Sequence, residues 1–118
     1  MPNKFEIGLI GQEQAERYLV KKGYQILERN FCSHTYEIDL IASDGVYIVF
    51  VEVKSRNNLK YGLPREAVSK EKQRRIKKAA LFYIARHQLS SQDFRFDVVE
   101  VLSMNGKTDI THIENAFM

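Results

Sequence analysis

The chain has 118 residues, 44% hydrophobic and 28% charged, with a net charge of +3 and an isoelectric point near 9.0. That size suits one domain with one core, and the composition excludes disordered and fibrous classes, while no segment approaches the ~20 apolar residues of a membrane span. The single cysteine, Cys32, allows no internal disulfide or CxxC pair, and the opening Met1-Pro2-Asn3-Lys4-Phe5-Glu6 has the features of neither signal peptide nor anchor, so a cytoplasmic location is expected.

Residues Gly8 to Lys22 place Ile10, Ala15, Leu19 and Val20 at helical spacing, and Gly23 stands where a helix end favours tolerance of positive φ, which predicts a first helix. Tyr24 to Phe31, Glu37 to Ala42 and Val46 to Lys54 are rich in Ile, Val and Phe and predict three strands. Ser43-Asp44-Gly45 signals a hairpin, so the second and third strands are expected to be antiparallel neighbours. Asn57 to Pro64, with Gly62 and Pro64, reads as a loop. Ser69 is placed to N-cap a second helix to about Gln88, with Ile76, Ala79, Ala80, Tyr83 and Ile84 inward. Arg95 to Leu102 reads as a strand, Asn105-Gly106 as a turn and Asp109 to Glu114 as a short last strand. The order predicts a single α/β domain over residues 1–118, with a crossover from the third strand to the fourth on one sheet.

Side chains alternate along the third strand, so Ile48, Phe50, Glu52 and Lys54 share one face and Val49, Val51 and Val53 the other. With Asp44-Gly45 as a two-residue turn, Ser43 faces Val46, Asp39 faces Phe50 and Glu37 faces Glu52, putting Glu37, Asp39, Glu52 and Lys54 on one face. Asp39 and Glu52 are then diagonal neighbours, roughly 5 to 8 Å apart at Cβ, close enough to hold one hard cation. Burying two carboxylates together is costly unless a cation compensates, and oxygen ligands without a thiol or imidazole cluster favour Mg²⁺ or Mn²⁺. A lone Glu-x-Lys is an ordinary strand-end ion pair; its convergence with Asp39 over a valine-rich opposite face favours a site.

Lys70, Lys72, Arg74, Arg75, Lys77 and Lys78 crowd the start of the second helix, where like charges repel unless a phosphate backbone neutralises them. Nucleic acid is the expected partner, and a solvated helix face is the alternative. Arg56, at the end of the third strand, is placed to touch a phosphate or to stay a surface arginine. Tyr47, Tyr61 and Tyr83 read as packing residues, His34, His87 and His112 lack metal-ligand spacing, and Cys32 reads as a small buried residue.

An Asp in one strand and Glu-x-Lys in the next, preceded by a helix and followed by a helix and strand, resembles the PD-(D/E)xK nuclease superfamily. More closely, "YEIDLIASDGVYIVFVEVKSR", the upstream "KKGYQILERNF", and "RFDVVEV" with the closing "HIENAF" resemble the YraN family of uncharacterised bacterial proteins, itself similar to archaeal Holliday-junction resolvases, over nearly the whole chain. The resemblance implies a restriction-endonuclease-like core, a central mixed β-sheet flanked by helices. It implies Mg²⁺ or Mn²⁺ on Asp39, Glu52 and the Val53 carbonyl, Lys54 beside the attacking water, and hydrolysis of DNA, branched or distorted. It also implies a polar residue from the second helix, for which Gln73 is placed, an ordinary exposed glutamine being the alternative. Two positions depart from the family pattern: relatives carry Glu where this chain has Gln12, with Glu16 one turn on as a partial substitute, and Gly where it has Tyr36. The change at Gln12 keeps a noncatalytic nucleic-acid-binding module as the rival reading. Symmetric cutting of two strands would call for a homodimer.

Overall fold

A computed structural model describes residues 4–33, 36–57 and 68–118, excluding the side chains of residues 4–7. The loop expected up to Pro64 lies outside the described residues beyond Asn57, as do His34 and Tyr61. The elements run α1 (Lys4–Lys21), β1 (Gln25–Ser33), β2 (Tyr36–Ser43), β3 (Tyr47–Arg56), α2 (Lys70–Arg86), β4 (Asp93–Met104) and β5 (Lys107–Phe117). The strands form one five-stranded sheet in the order β1-β2-β3-β4-β5. Only β3 and β4 are parallel, joined by the crossover through α2, so the sheet is mixed and the α/β arrangement is compatible with an endonuclease-like core. No helix among the described residues is long and apolar enough to cross a membrane.

Among the described residues, each face of the sheet carries one helix. Ala15 and Leu19 of α1 pack with Leu40, Ala42, Val49, Val51, Val99 and Val101. Ile76, Ala79, Ala80, Tyr83 and Ile84 of α2 pack on the other face, with Phe31, Ile41, Phe50 and Phe96. The inner face of α2 and its cap at Ser69, whose hydroxyl accepts from the Lys72 N–H at 3.1 Å, are as the sequence predicts. Helix α1 forms where its spacing predicts, starting earlier at Lys4, and buries Ala15 and Leu19, while Ile10 and Val20 are exposed and Gly11 is buried. Gly23 ends α1 with φ of +95°, as expected of a glycine in that position.

The hairpin register differs from the expected one by two residues. Asp44 accepts from the N–H groups of Val46 and Tyr47 at 2.8 and 2.7 Å, which makes a longer turn, and Ser43 pairs with Ile48 and Ile41 with Phe50. An even shift keeps each side chain on its face, so Glu52 and Lys54 still share theirs with Ile48 and Phe50. The regular alternation breaks further along β2. Ile38 lies in the core under α2 and Leu40 in the core under α1, although only Asp39 separates them. Asn30, across from Asp39 between the pairs Arg29–Leu40 and Phe31–Ile38, has φ of +52°. The two strands turn over together at this point, and Asp39 stands at the seam.

Candidate active site

The β2–β3 ladder ends at Leu40–Val51, and its next step would set Asp39 opposite Glu52. There the Val53 N–H donates to Asp39 Oδ2 at 2.8 Å, so a carboxylate takes the place of a ladder carbonyl. Glu52 is buried at 5% exposure under the first turn of α2. Lys72 Nζ lies 2.6 Å from Glu52 Oε1 and Lys54 Nζ 3.9 Å from the same oxygen, while Tyr36 donates its hydroxyl to Oε2 at 3.1 Å. Two carboxylates, two ammonium groups and a phenol therefore meet where β2 parts from β3.

Their electrostatics follow from that crowding. Burial, then the negative charge of Glu52, pushes the Asp39 carboxyl up to about 7, against the pull of the Val53 N–H. Lys54 is lowered, by burial first and by Lys72 second. Burial works against the Lys72 charge as well, but the bond to Glu52, the contact with Lys54 and the charges of Glu52 and Tyr36 together outweigh it and Lys72 is raised. The Tyr36 hydroxyl is raised by burial and by Glu52, which keeps it a donor.

Of the residues expected here, Asp39, Glu52, Val53 and Lys54 are brought together; others are placed elsewhere. Glu37 was expected on the Glu52 face, but it pairs with Cys32 and alternates with Tyr36 and Ile38, so the turnover at Asp39 leaves it exposed on the opposite face. It accepts there from the thiol of Cys32 at 3.3 Å, and Cys32 is exposed rather than buried because Phe31 and Ser33 on either side point inward. Glu16, expected as a substitute ligand, is held by Arg29 through two bonds of 2.6 and 2.8 Å, which lower its pKa. Arg56 is not a surface cation: it is nearly buried 2.8 Å from Glu100, which faces Lys54 in the parallel ladder. Gln73 turns back to donate to the Val68 carbonyl at 3.0 Å. Gln12 is half-buried on α1, one residue beyond Gly11, whose added Cβ would stand 1.8 Å from Ser55 Oγ on β3.

Lys70, Arg74, Arg75 and Lys78 are exposed on α2, Lys77 is half-buried, and Lys72 turns inward to Glu52. Sequence reasoning missed three participants: Tyr36, noted only as a departure from the family's glycine, Lys72 as a partner of Glu52, and Glu100, which faces Lys54 in the parallel ladder. For Lys72 a signal was available, because the third residue past an N-cap points back over the start of its helix.

The donor set can be tested against the implied cation. Two carboxylates and a neighbouring backbone carbonyl are hard oxygen donors of the kind Mg²⁺ and Mn²⁺ take, and the raised pKa of Asp39 shows that its charge lacks full compensation. The residues fit in kind, although no group of three His, Cys, Asp or Glu side chains gathers among the described residues.

Known proteins give the chain a family. The profile described as "Uncharacterised protein family UPF0102" matches residues 11–101. The UPF0102 protein of Caldicellulosiruptor saccharolyticus is 48% identical, covering 98% of this chain and 99% of the relative. That of Syntrophomonas wolfei is 47% identical over 95% and 97%, and that of Trichlorobacter lovleyi 49% over 94% and 89%. With profile and full-length relatives agreeing, this protein belongs to the UPF0102 family, the YraN family that its motifs resemble.

Proposed function

We propose that the protein is a metal-dependent nuclease that hydrolyses DNA phosphodiester bonds, with Mg²⁺ or Mn²⁺ as cofactor. The observation that carries this reading is the placement of Asp39 and Glu52 at the parting of β2 and β3, with Lys54 Nζ 3.9 Å from Glu52. Asp39, Glu52 and the Val53 carbonyl would hold the cation, which when bound supplies positive charge to a phosphate and to the attacking water. Asp39 is fixed by the Val53 N–H and Glu52 by the Tyr36 hydroxyl, so neither carboxylate must be ordered at the moment of reaction. Lys54, its pKa lowered, holds or gives up a proton at Nζ more readily than a solvated lysine, which suits a group set beside a water nucleophile. The similarity to junction resolvases extends the reading to branched or distorted duplexes, on analogy alone.

The test is calorimetric titration of Mn²⁺ into wild type and the Asp39→Ala/Glu52→Ala variant, each with and without a four-way junction, alongside cleavage of that junction. Saturable binding and cleavage in the wild type, both lost in the variant, are expected. A wild type that takes up no Mn²⁺ even with the junction present would sink the proposal. One observation favours the rival, a noncatalytic nucleic-acid-binding module: the Lys72 ammonium 2.6 Å from Glu52 already neutralises that carboxylate. The rival predicts salt-sensitive DNA binding that survives both alanine substitutions.

A further inference from the structure

Beside Tyr36 the surface opens into a groove of about 770 Å³, within the ~300–1,000 Å³ range of small-ligand sites. Its lining joins Ser33 and Tyr36 at the β1–β2 end to Arg74, Arg75, Lys78, Leu81 and Phe82 on the outer face of α2. Three cations face one acid, Glu71, whose ion pairs to Arg74 and Arg75 are exposed and therefore weak. Within this basic frame Leu81 is 58% and Phe82 43% exposed. Phe82 is also held in place from behind: the ring of buried Phe31 lies 6.4 Å away at 34°.

We propose that this groove binds single-stranded nucleic acid, seating an unpaired base on Phe82 and Leu81 and its phosphates on Arg74, Arg75 and Lys78. The inference rests on the nuclease reading and names its substrate class. A duplex would satisfy the three cations but not the apolar floor, because its base faces are stacked on one another; a splayed base has a free face for an aromatic ring. Tyr36 fixes the direction of the strand. It lines the groove and donates to Glu52, so a strand lying against Phe82 and continuing past Tyr36 arrives at the Asp39–Glu52 site. The structure thereby assigns α2 two tasks: its inward Lys72 serves the carboxylates, and its outward face holds the unpaired end.

The experiment is fluorescence anisotropy without divalent cation, using a labelled twelve-residue oligothymidine and a blunt duplex of the same length. Wild type should prefer the single strand several-fold. Phe82→Ala should weaken the single strand about ten-fold, as loss of one stacked base does, and leave the duplex unchanged. Phe82→Tyr, which keeps the ring, should bind as wild type, which separates stacking from damage to the fold. Arg75→Ala should weaken both ligands alike, since it meets phosphate in either. A wild type that prefers duplex, or a Phe82→Ala that weakens both ligands equally, would overturn the groove assignment and leave the nuclease reading standing. Binding of neither ligand at low salt would bring down both.

Discussion

At the scale of single residues, Asp39 shows how a functional group opposes stability. Its carboxyl is pushed up to about 7 by burial and by Glu52, above the ~3.9 of an unfolded chain, so the folded protein holds that proton more tightly than the unfolded one. The contribution to stability is thus fully present below about pH 4 and is lost as the pH rises through 7. Asp39→Asn removes the charge while keeping an oxygen to accept from Val53. It should therefore be more stable than wild type at pH 8, on the order of 2 kcal/mol, with the margin closing toward pH 4. Denaturant melts at the two pH values check this; a margin independent of pH would mean that the charge is not its source. The residue types at the site were legible because Asp39 and Glu-x-Lys converge from neighbouring strands, the second of them valine-rich on its other face. Tyr36 was not, because a phenol in a strand is unremarkable until its hydroxyl is seen to reach Glu52, sixteen residues on.

At the scale of elements, local signals read true and register did not. Helix α2 was legible in its cap and inner face, ending at Arg86 where about Gln88 was expected, because the cap at Ser69, the period and the inner face are all local. The hairpin missed by two residues because Asp44 takes two N–H bonds and lengthens the turn, a choice that Asp-Gly alone does not dictate. Faces survived that error, but Glu37 did not, since the turnover at Asn30 and Asp39 involves two strands at once and neither sequence announces it. Helix α1 was legible as a helix, but the face it turns to the sheet was not. Its contact with the sheet runs through Gly11, where an absent side chain is what lets the helix approach Ser55. On propensity alone Gly11→Ala should stabilise the helix by about 1 kcal/mol. A Cβ 1.8 Å from Ser55 Oγ and 3.0 Å from Ser55 Cβ reverses the sign, because rotating the hydroxyl away still leaves the Cβ contact. Gly11→Ala should then lose about 1–2 kcal/mol, and adding Ser55→Gly should recover most of it. Thermal melts of both variants decide, and a Gly11→Ala more stable than wild type would show that α1 backs away at little cost.

Across the whole molecule, one guanidinium ties the layers together. Arg95, at the start of β4, contacts Asp97 on its own strand at 3.0 Å, Asp44 of the β2–β3 turn at 2.9 Å and Glu114 of β5 at 3.0 Å, and it donates to the hydroxyl of Tyr24 beyond α1. Asp97 is fully buried and also binds His112 at 2.7 Å and the Asn115 N–H at 2.9 Å. Burial raises its pKa, but these partners together outweigh burial and leave it lowered. In the sequence "RFDVVEV" and "HIENAF" serve as marks of family resemblance, and nothing local says that they close one clasp, whose members are spread from Tyr24 to Asn115. Two accounts of the clasp make different predictions. If it works by bridging elements, losing Arg95 costs the bridges whatever Asp97 carries. If its task is to offset a buried charge, the cost lies in the orphaned carboxylate, and neutralising Asp97 should give it back. The full burial of Asp97 against the 56% exposure of the Glu114 side chain favours the second account. Arg95→Met should therefore lose about 3 kcal/mol, and Arg95→Met/Asp97→Asn should regain more than half of that loss. Urea unfolding of the two variants measures the difference directly, and a double variant no more stable than the single one would return the clasp to bridging.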